Sequence, residues 1–164
     1  MNANPDLTIR EATEADLPVI LDLIKELADY EKLSHIVEAT VDSLREVLFG
    51  ANPAAEALVA FYEDKPAAYA LFFHSVSSFL GRAGIYLEDI YVRPHLRGKG
   101  IGKTLFSKVA QIARERNSGR MEWSVLKWNK SAIDFYEAHG AEPLDGWVMM
   151  RLTGGSLEKV AVGE

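Results

Sequence analysis

The sequence changes its hydrophobic period near residue 97, and this change constrains the fold more than any other feature of the chain. Residues 85–92 are mostly aliphatic, aromatic and β-branched and end at Arg93-Pro94, which is typical of a strand that stops at a turn. From Ile101 the apolar residues recur every three or four positions, which predicts a helix. Between the two periods lie three alternate glycines: Gly98, Gly100 and Gly102. The chain therefore contains a strand, a glycine-rich loop and a helix in direct succession.

The glycine-rich loop has the chemistry of an anion site. Glycines let a ligand approach the backbone, and the first-turn amides of the following helix point towards it. Arg97, Lys99 and Lys103 add positive charge. A Walker loop would need a glycine at position 97 and a dinucleotide fingerprint would need one at position 103, so neither nucleotide motif fits. The alternative is that the glycines only form a tight strand-to-helix turn.

Composition bounds the class of protein. The 164 residues predict a single domain over 1–164, with a tail over about 155–164 that can fray. No apolar run approaches the ~20 residues of a membrane span, and the first residues lack the pattern of a signal peptide. We therefore expect a cytoplasmic protein with no membrane partner.

Charge and cysteine content exclude several kinds of site. The net charge of -6 disfavours nucleic acid as a partner and favours a cationic one. The chain has no cysteine, which excludes disulfides, thiolate metal sites and a cysteinyl acyl-enzyme. Its four histidines form no close ligand pair, so we predict no metal site.

Periodicity along the whole chain predicts helices interleaved with a mostly antiparallel sheet, which is an α/β or α+β sandwich. Capping residues mark three helix starts: Thr13 with Asp16, Thr40, and Asn129. The predicted strands cover residues 7–10, 57–62, 67–76, 85–92, 121–126 and 147–152, and the predicted helices cover about 17–30, 41–49, 101–117 and 130–138.

Two separate motifs carry a family resemblance. Arg97, Gly100 and Gly102 match the Arg/Gln-x-x-Gly-x-Gly/Ala signature of the GNAT acetyltransferases, and residues 129–137 followed by Gly140-Ala141 are similar to the second cofactor segment of that superfamily. Within it, the chain resembles the spermidine/spermine or thialysine acetyltransferase group over residues 24–31, 86–90, 128–129 and 146–147. The resemblance thus spans most of the chain.

The resemblance implies a GNAT fold, with a central mixed, mostly antiparallel sheet flanked by helices, and acetyl-coenzyme A as the acetyl donor. It also implies a homodimer. In the family a splayed strand frees backbone groups for the pantetheine arm and the thioester oxygen, and the loop amides hold the pyrophosphate. The cofactor residues implied in this way are Ile90, Tyr91, Val92, Arg97, Gly98, Lys99, Gly100, Ile101, Gly102, Lys103, Asn129, Ser131 and Ala132. Capping of the helix is the alternative role for the Asn129 side chain.

Two residues are implied as catalytic. At physiological pH an alkylamine with a pKa near ~10 is neutral in about one molecule in a thousand, so it must lose a proton before it attacks. The resemblance points to Glu88 as amine binder and proton acceptor, directly or through water, and to Tyr136 as the acid that protonates the leaving thiolate. Strand alternation predicts that Glu88 faces away from Asp89. The alternatives are a solvated or ion-paired Glu88 and a Tyr136 that only packs its helix against the sheet.

The remaining candidates concern the substrate. Tyr30, Glu31 and Glu122, together with Glu88, can hold a small cationic amine by carboxylate pairing and an aromatic face. We predict an N-acetyltransferase that acts on a primary amine of a diamine, polyamine or lysine-like compound by direct attack in a ternary complex. Acetylation of a protein amino terminus, a protein lysine or an aminoglycoside is the alternative, as is a coenzyme A-binding regulator without turnover.

Overall fold

The computed structural model describes residues 4–163, whose contacts divide the chain into two compact units. The first unit ends at Ser124 and the second begins at Val125. Among residues 4–163, no helix has both the length and the apolar character that a membrane span requires.

The first unit is built on a five-stranded sheet. Its strands are β1 (Leu7–Glu11), β2 (Glu56–Tyr62), β3 (Lys65–Ser77), β4 (Arg82–Val92) and β5 (Met121–Trp123), and they lie in chain order across the sheet. The first four strands pair antiparallel, and β5 pairs parallel to β4. The mixed, mostly antiparallel sheet expected from the sequence is thereby confirmed.

Helices cover both faces of this sheet. The helices α1 (Leu17–Tyr30) and α2 (Val41–Phe49) pack on one face, where Val59, Tyr69 and Tyr91 lie in their apolar cluster. Residues alternate between faces along a strand, so Leu58, Phe72 and Leu87 point to the other face, against which α3 (Ile101–Glu115) packs. The hydrophobic core therefore consists of two layers, one on either side of the sheet.

An ion pair between a buried carboxylate and a partly exposed arginine joins the end of β1 to the start of α1. The Asp16 carboxylate accepts hydrogen bonds from both terminal nitrogens of Arg10 (2.7 and 2.8 Å) and from the Thr13 amide and hydroxyl (2.7 and 2.8 Å). Asp16 is buried. The bonds from Arg10 hold the pKa of the Asp16 carboxyl well below its usual range. The capping box predicted from Thr13 and Asp16 is confirmed and has a third member in Arg10.

The second unit contains two helices, α4 (Lys130–Glu137) and α5 (Gly154–Val162). Asn129 caps α4 by accepting a hydrogen bond from the Ala132 amide at 3.3 Å, so the predicted cap is confirmed. The strand predicted over residues 147–152 is wrong, because these residues have no regular secondary structure. A strand forms only with a hydrogen-bonded neighbour, and an apolar run does not specify one. The tail expected beyond residue 154 contains α5 as far as Val162, and Glu164 lies outside the described residues.

We expect Asp16→Asn to lower the free energy of unfolding by about 2 to 3 kcal/mol, because the buried carboxylate accepts hydrogen bonds from Arg10 and Thr13 that a neutral amide only partly replaces. This corresponds to a fall in Tm of about 5 to 10 °C for a chain of this size. Because the pKa of Asp16 is lowered in the folded protein, its contribution is present above the unfolded pKa of about 3.9 and is lost as the pH falls further. Thermal unfolding followed by circular dichroism from pH 7 to pH 2 measures the destabilisation at neutral pH and the start of its disappearance in acid.

The control is Asp42→Asn, which removes an ion pair with Arg45 on the exposed surface of α2. Its Tm should equal that of the parent within error. A Tm for Asp16→Asn as high as that of the control would contradict the role of Asp16.

Candidate functional site

The site lies where β4 loses its neighbour. Only Ile85, Tyr86 and Leu87 pair with β5, whose last residue is Trp123. Over residues 88–92, within the part of the chain that the structure describes, β4 pairs with β3 alone. The backbone of this segment therefore has an open edge, as the family resemblance implies for Ile90, Tyr91 and Val92. A group that enters there finds amides and carbonyls that the sheet does not use.

An extra residue interrupts β4 at the start of this open edge. Leu71 of β3 pairs with Asp89 and Phe72 pairs with Leu87, which leaves Glu88 without a partner in the register. Such a β-bulge breaks the alternation of side chains. Counting from Leu87 assigns Glu88 to the face of Asp89, whereas counting back from Asp89 assigns it to the other face. The prediction that these two carboxylates face opposite ways rested on an uninterrupted strand and stays a prediction.

Three carboxylates gather around the bulge. The Tyr69 hydroxyl donates a hydrogen bond of 2.9 Å to Oδ2 of Asp89, and the charges of Glu31 and Glu88 act on the same pair. Burial raises the pKa of Asp89 to about 6, the Tyr69 hydrogen bond opposes this rise, and the charges of Glu88 and Glu31 add to it. Burial also raises the pKa of Glu31. Loss of hydration therefore disfavours the negative form of both Asp89 and Glu31, and a bound cation would restore it.

The glycine-rich loop begins where β4 ends. Gly98 and Gly100 have φ angles of +79° and +80°, in the left-handed region that favours glycine. Gly100 is the amino-terminal cap of α3. The first helical hydrogen bond runs from the Thr104 amide to the Gly100 oxygen, at 3.0 Å. The amides of Ile101, Gly102 and Lys103 have no carbonyl one turn earlier, so they are available to an anion.

The cations of the loop rest on tyrosine rings. The Arg97 guanidinium lies 4.5 Å from the ring centre of Tyr30 and 5.7 Å from that of Tyr91, and its Nε donates to the Val92 oxygen at 3.1 Å. In the same way, the Lys99 ammonium lies 4.6 Å from the ring centre of Tyr62. Among the ion pairs of residues 4–163, none involves Arg97, Lys99 or Lys103. The loop therefore keeps its positive charge for a phosphate group.

The structure brings Glu31, Glu88 and Asp89 together, but two predicted substrate residues have other contacts. The ring of Tyr30 is covered by Arg97, which links α1 to the glycine-rich loop. Glu122 forms an ion pair with Arg120, 2.7 Å between Nε and Oε2, and lies beside Tyr86 in the register. Roles for Tyr30 and Glu122 in substrate binding stay predictions.

The second unit carries the remaining candidates on α4. Asn129, Ser131 and Ala132 lie at its amino-terminal end, where the Lys130 amide donates to the Trp128 oxygen and the Ala132 amide donates to Asn129. Tyr136 is half-buried in the last turn, and its ring meets that of Phe135 edge-on at 5.4 Å. The acid role of Tyr136 stays a prediction.

Two residues of the acidic site were missed by sequence reasoning. Asp89 was not proposed as a site residue, and Tyr69 looked like one more apolar strand residue. A signal was present in the consecutive acids Glu88-Asp89 inside an apolar strand, since a strand that is covered on both faces cannot solvate two neighbouring carboxylates. The structure places a bulge at this point, with Glu88 exposed and Asp89 half-buried.

Comparisons with known proteins identify the family that this chain resembles. Residues 22–141 match the model of the acetyltransferase (GNAT) family. A thialysine N-epsilon-acetyltransferase from Bos taurus is 42% identical over 164 residues, which cover 93% of this chain and 96% of the relative. An L-ornithine N5-acetyltransferase from Arabidopsis thaliana is 32% identical, with 93% of this chain and 86% of the relative covered. Among solved structures, an integron cassette protein from V. cholerae superimposes with a TM-score of 0.79 at 24% identity, covering 95% of this chain and 98% of that one.

A substitution in the loop tests its role in anion binding. We expect Gly100→Ala to weaken coenzyme A binding about tenfold, because an alanine at φ +80° costs about 1 to 2 kcal/mol and pushes the loop out of its conformation. Gly102→Ala is the matched control, since its Cβ would meet only Val92 Cγ2 at 3.4 Å and its φ lies outside the left-handed region. Isothermal titration calorimetry with coenzyme A gives both dissociation constants. Equal losses in the two variants would contradict a conformational requirement at Gly100.

Proposed function

The chain belongs to the GNAT acetyltransferase family, and on that premise we propose that it transfers acetyl from acetyl-coenzyme A to a primary amine of a small diamine, polyamine or lysine-like compound. One observation carries the proposal. Along a single strand, the structure combines a cluster of carboxylates at the bulge with a cationic glycine-rich loop at the strand end. The first suits a cationic amine and the second suits a diphosphate.

The relatives support this class of substrate. The names of two relatives contain thialysine and ornithine, which are amino acids with a primary amine at the end of the side chain. A spermidine/spermine N(1)-acetyltransferase-like protein from Homo sapiens is 35% identical over 87% of this chain, although it is a much longer protein. All three names describe amines that carry a second amino group. Such a substrate has enough positive charge to interact with more than one carboxylate.

The glycine-rich loop and the open edge of β4 are the parts that fit the acetyl donor. GNAT acetyltransferases use acetyl-coenzyme A. In the proposed complex the amides of Ile101, Gly102 and Lys103 hold the pyrophosphate, while Arg97, Lys99 and Lys103 supply counter-charge. Backbone groups of Ile90, Tyr91 and Val92 line the path of the pantetheine arm, and an amide of this segment stabilises the developing oxyanion. Asn129, Ser131 and Ala132 are proposed to add contacts from α4.

The acidic site is proposed to bind the amine and to take its proton. Glu88 is exposed and lies at the bulge, where it can contact the ammonium group. Removing that proton at neutral pH costs about 4 kcal/mol for an amine of pKa near 10, so a carboxylate must stand beside the nitrogen. The neutral amine then attacks the thioester directly. Glu88 and Asp89 are the two carboxylates proposed for this proton transfer. The homodimer and the cytoplasmic location expected from the sequence stay predictions.

The experiment that tests the function compares amines of equal length with one or two charges. In an assay of released thiol, we expect acetylation of 1,5-diaminopentane, ornithine and lysine, with a kcat/KM for the diamine about tenfold or more above that for pentylamine. The second ammonium should bind a carboxylate that a monoamine leaves unpaired. Absence of thiol release with every amine, when calorimetry shows that coenzyme A binds, would contradict the proposal.

Tyr136→Phe tests the proposed acid. Loss of a general acid should lower kcat by about 10² to 10⁴, while the dissociation constant for coenzyme A stays within twofold of the parent value. Phenylalanine keeps the ring and its contact with Phe135, so packing is preserved. Steady-state kinetics with a saturating amine and calorimetry with coenzyme A separate the two effects. An unchanged kcat would remove Tyr136 from the acid role.

A further inference from the structure

Tyr69 is a phenol in the middle of the sheet, in a place where phenylalanine would satisfy the packing. It lies on β3 with no exposed surface, among the apolar residues that α1 and α2 cover. Tyr69 pairs in the register with Tyr91, and Asp89 is two residues away on the same face of β4. This diagonal spacing of about 7 to 8 Å is within the reach of a tyrosine side chain. Its hydroxyl donates to Asp89 Oδ2 at 2.9 Å.

The bond has a directional consequence for the carboxylate. Within residues 4–163, the Tyr69 hydroxyl is the one group that donates a hydrogen bond to the Asp89 side chain, and no cation forms an ion pair with it. Oδ2 is therefore held, and Oδ1 keeps its full capacity to accept. Asp89 is half-buried and stands next to the bulge residue Glu88, so Oδ1 remains within reach of a ligand.

We propose that Tyr69 is a positioning residue for amine acetylation: its hydroxyl clamps Oδ2 of Asp89, so that Oδ1 takes the proton of the substrate ammonium. This inference rests on the proposed function and assigns the proton acceptor within it. Glu88 then provides the ionic contact that holds the amine.

In the proposed step, the ammonium nitrogen gives one proton to Asp89, which becomes a neutral carboxylic acid. The freed lone pair forms the new C–N bond with the acetyl carbon, and the C–S bond breaks. The proposed acid Tyr136 gives its proton to the leaving thiolate, and the second proton that the nitrogen loses as the amide forms restores the Tyr136 phenol. Asp89 returns its proton to solvent after the product leaves. Tyr69 donates the same hydrogen bond throughout and exchanges no proton.

The surroundings of the pair fit these roles. Burial and the nearby carboxylates raise the pKa of Tyr69 far above the physiological range, so its hydroxyl is always a donor. The pKa of Asp89, raised to about 6, suits a base that works near neutral pH. The titratable groups that face Asp89 are Tyr69 from β3, Glu88 from β4 and Glu31 from the end of α1. Only the Tyr69 hydroxyl lowers the pKa of Asp89, so removing it raises that pKa.

The test is the pH profile of kcat/KM with 1,5-diaminopentane for the parent and for Tyr69→Phe. We expect an acidic limb near pH 6 in the parent and a limb about one pH unit higher in Tyr69→Phe, since one hydrogen bond to the carboxylate is lost. At high pH the two proteins should have rates within a fewfold of each other. A purely structural Tyr69 would lower the Tm of the variant and leave the limb where it is.

Two further variants identify the acceptor. Asp89→Asn should abolish the limb and lower kcat/KM by about 100-fold or more. Glu88→Gln should raise KM for the amine and keep the limb. Tyr86→Phe is a matched control. It removes a tyrosine hydroxyl from β4, the strand of Asp89, but this hydroxyl bonds to Ser124. The pH profile of this variant should equal that of the parent. Loss of the limb in Glu88→Gln, with a parent-like profile in Tyr69→Phe, would overturn the inference.

A measurement without turnover separates this inference from the proposed function. Carbon-13 NMR of aspartate-labelled protein, with the signal assigned by Asp89→Asn, gives the titration of the Asp89 carboxyl directly. We expect a midpoint near 6 in the parent and a higher one in Tyr69→Phe. Equal midpoints would overturn the inference while amine acetylation stands. Absence of thiol release with every amine would overturn both the inference and the proposed function.

Discussion

The unpaired residue in β4 is the constraint on which the rest of the site depends. Glu88 has no partner on β3, and the strand still continues to Val92. Pairing with β5 stops at Leu87, one residue before the bulge. The same short stretch therefore combines an open backbone edge with neighbouring carboxylates. β-bulges next to active sites commonly redirect a side chain.

The glycine-rich loop is tied to the body of the unit by its own cations. Arg93 at the end of β4 pairs with Glu26 of α1 at 2.8 Å and donates to the Pro66 oxygen. Arg97 stacks on Tyr30, also of α1, and bonds to the Val92 carbonyl. Two arginines of opposite function thus lie four residues apart: one is neutralised by a carboxylate and supports the structure, and the other is held by rings and keeps its charge. The loop is preorganised without loss of its affinity for anions.

Local chemistry made much of this structure predictable. Hydrophobic period, caps and turn residues gave the order of the elements through α4, since each of these signals acts within a few residues. The two-residue turn at Glu63-Asp64 and the end of α2 at Gly50 follow the same logic. Gly84 shows the limit of such reasoning. The strand was predicted to start at residue 85, yet Gly84 lies inside β4, where a Cβ would stand 2.7 Å from Ser75 Oγ and 3.2 Å from the Arg120 oxygen. Close approach of neighbouring strands explains this glycine.

Features that depend on pairing between distant segments were not predictable from the chain. The bulge requires the register between β3 and β4, and the Tyr69–Asp89 bond requires a contact across 20 positions in sequence. Residues 147–152 are a further example: their apolar pattern predicts a strand, but the pattern alone cannot show whether a neighbouring strand is present to pair with it. Motif positions such as Arg97, Gly100 and Gly102 were recognisable because their geometry is local to one loop.

The separation of charge along β4 has a consequence for how ligands reach the enzyme. Carboxylates surround the bulge, and uncompensated cations surround the loop at the carboxyl end of the same strand. A reactant with several phosphates and a reactant with several ammonium groups would neutralise each other in free solution. On this surface the proposed polyanionic and polycationic reactants would be attracted to different ends of one short segment. The local positive charge of the glycine-rich loop thus allows a polyanion to bind, although the net charge of the chain is -6.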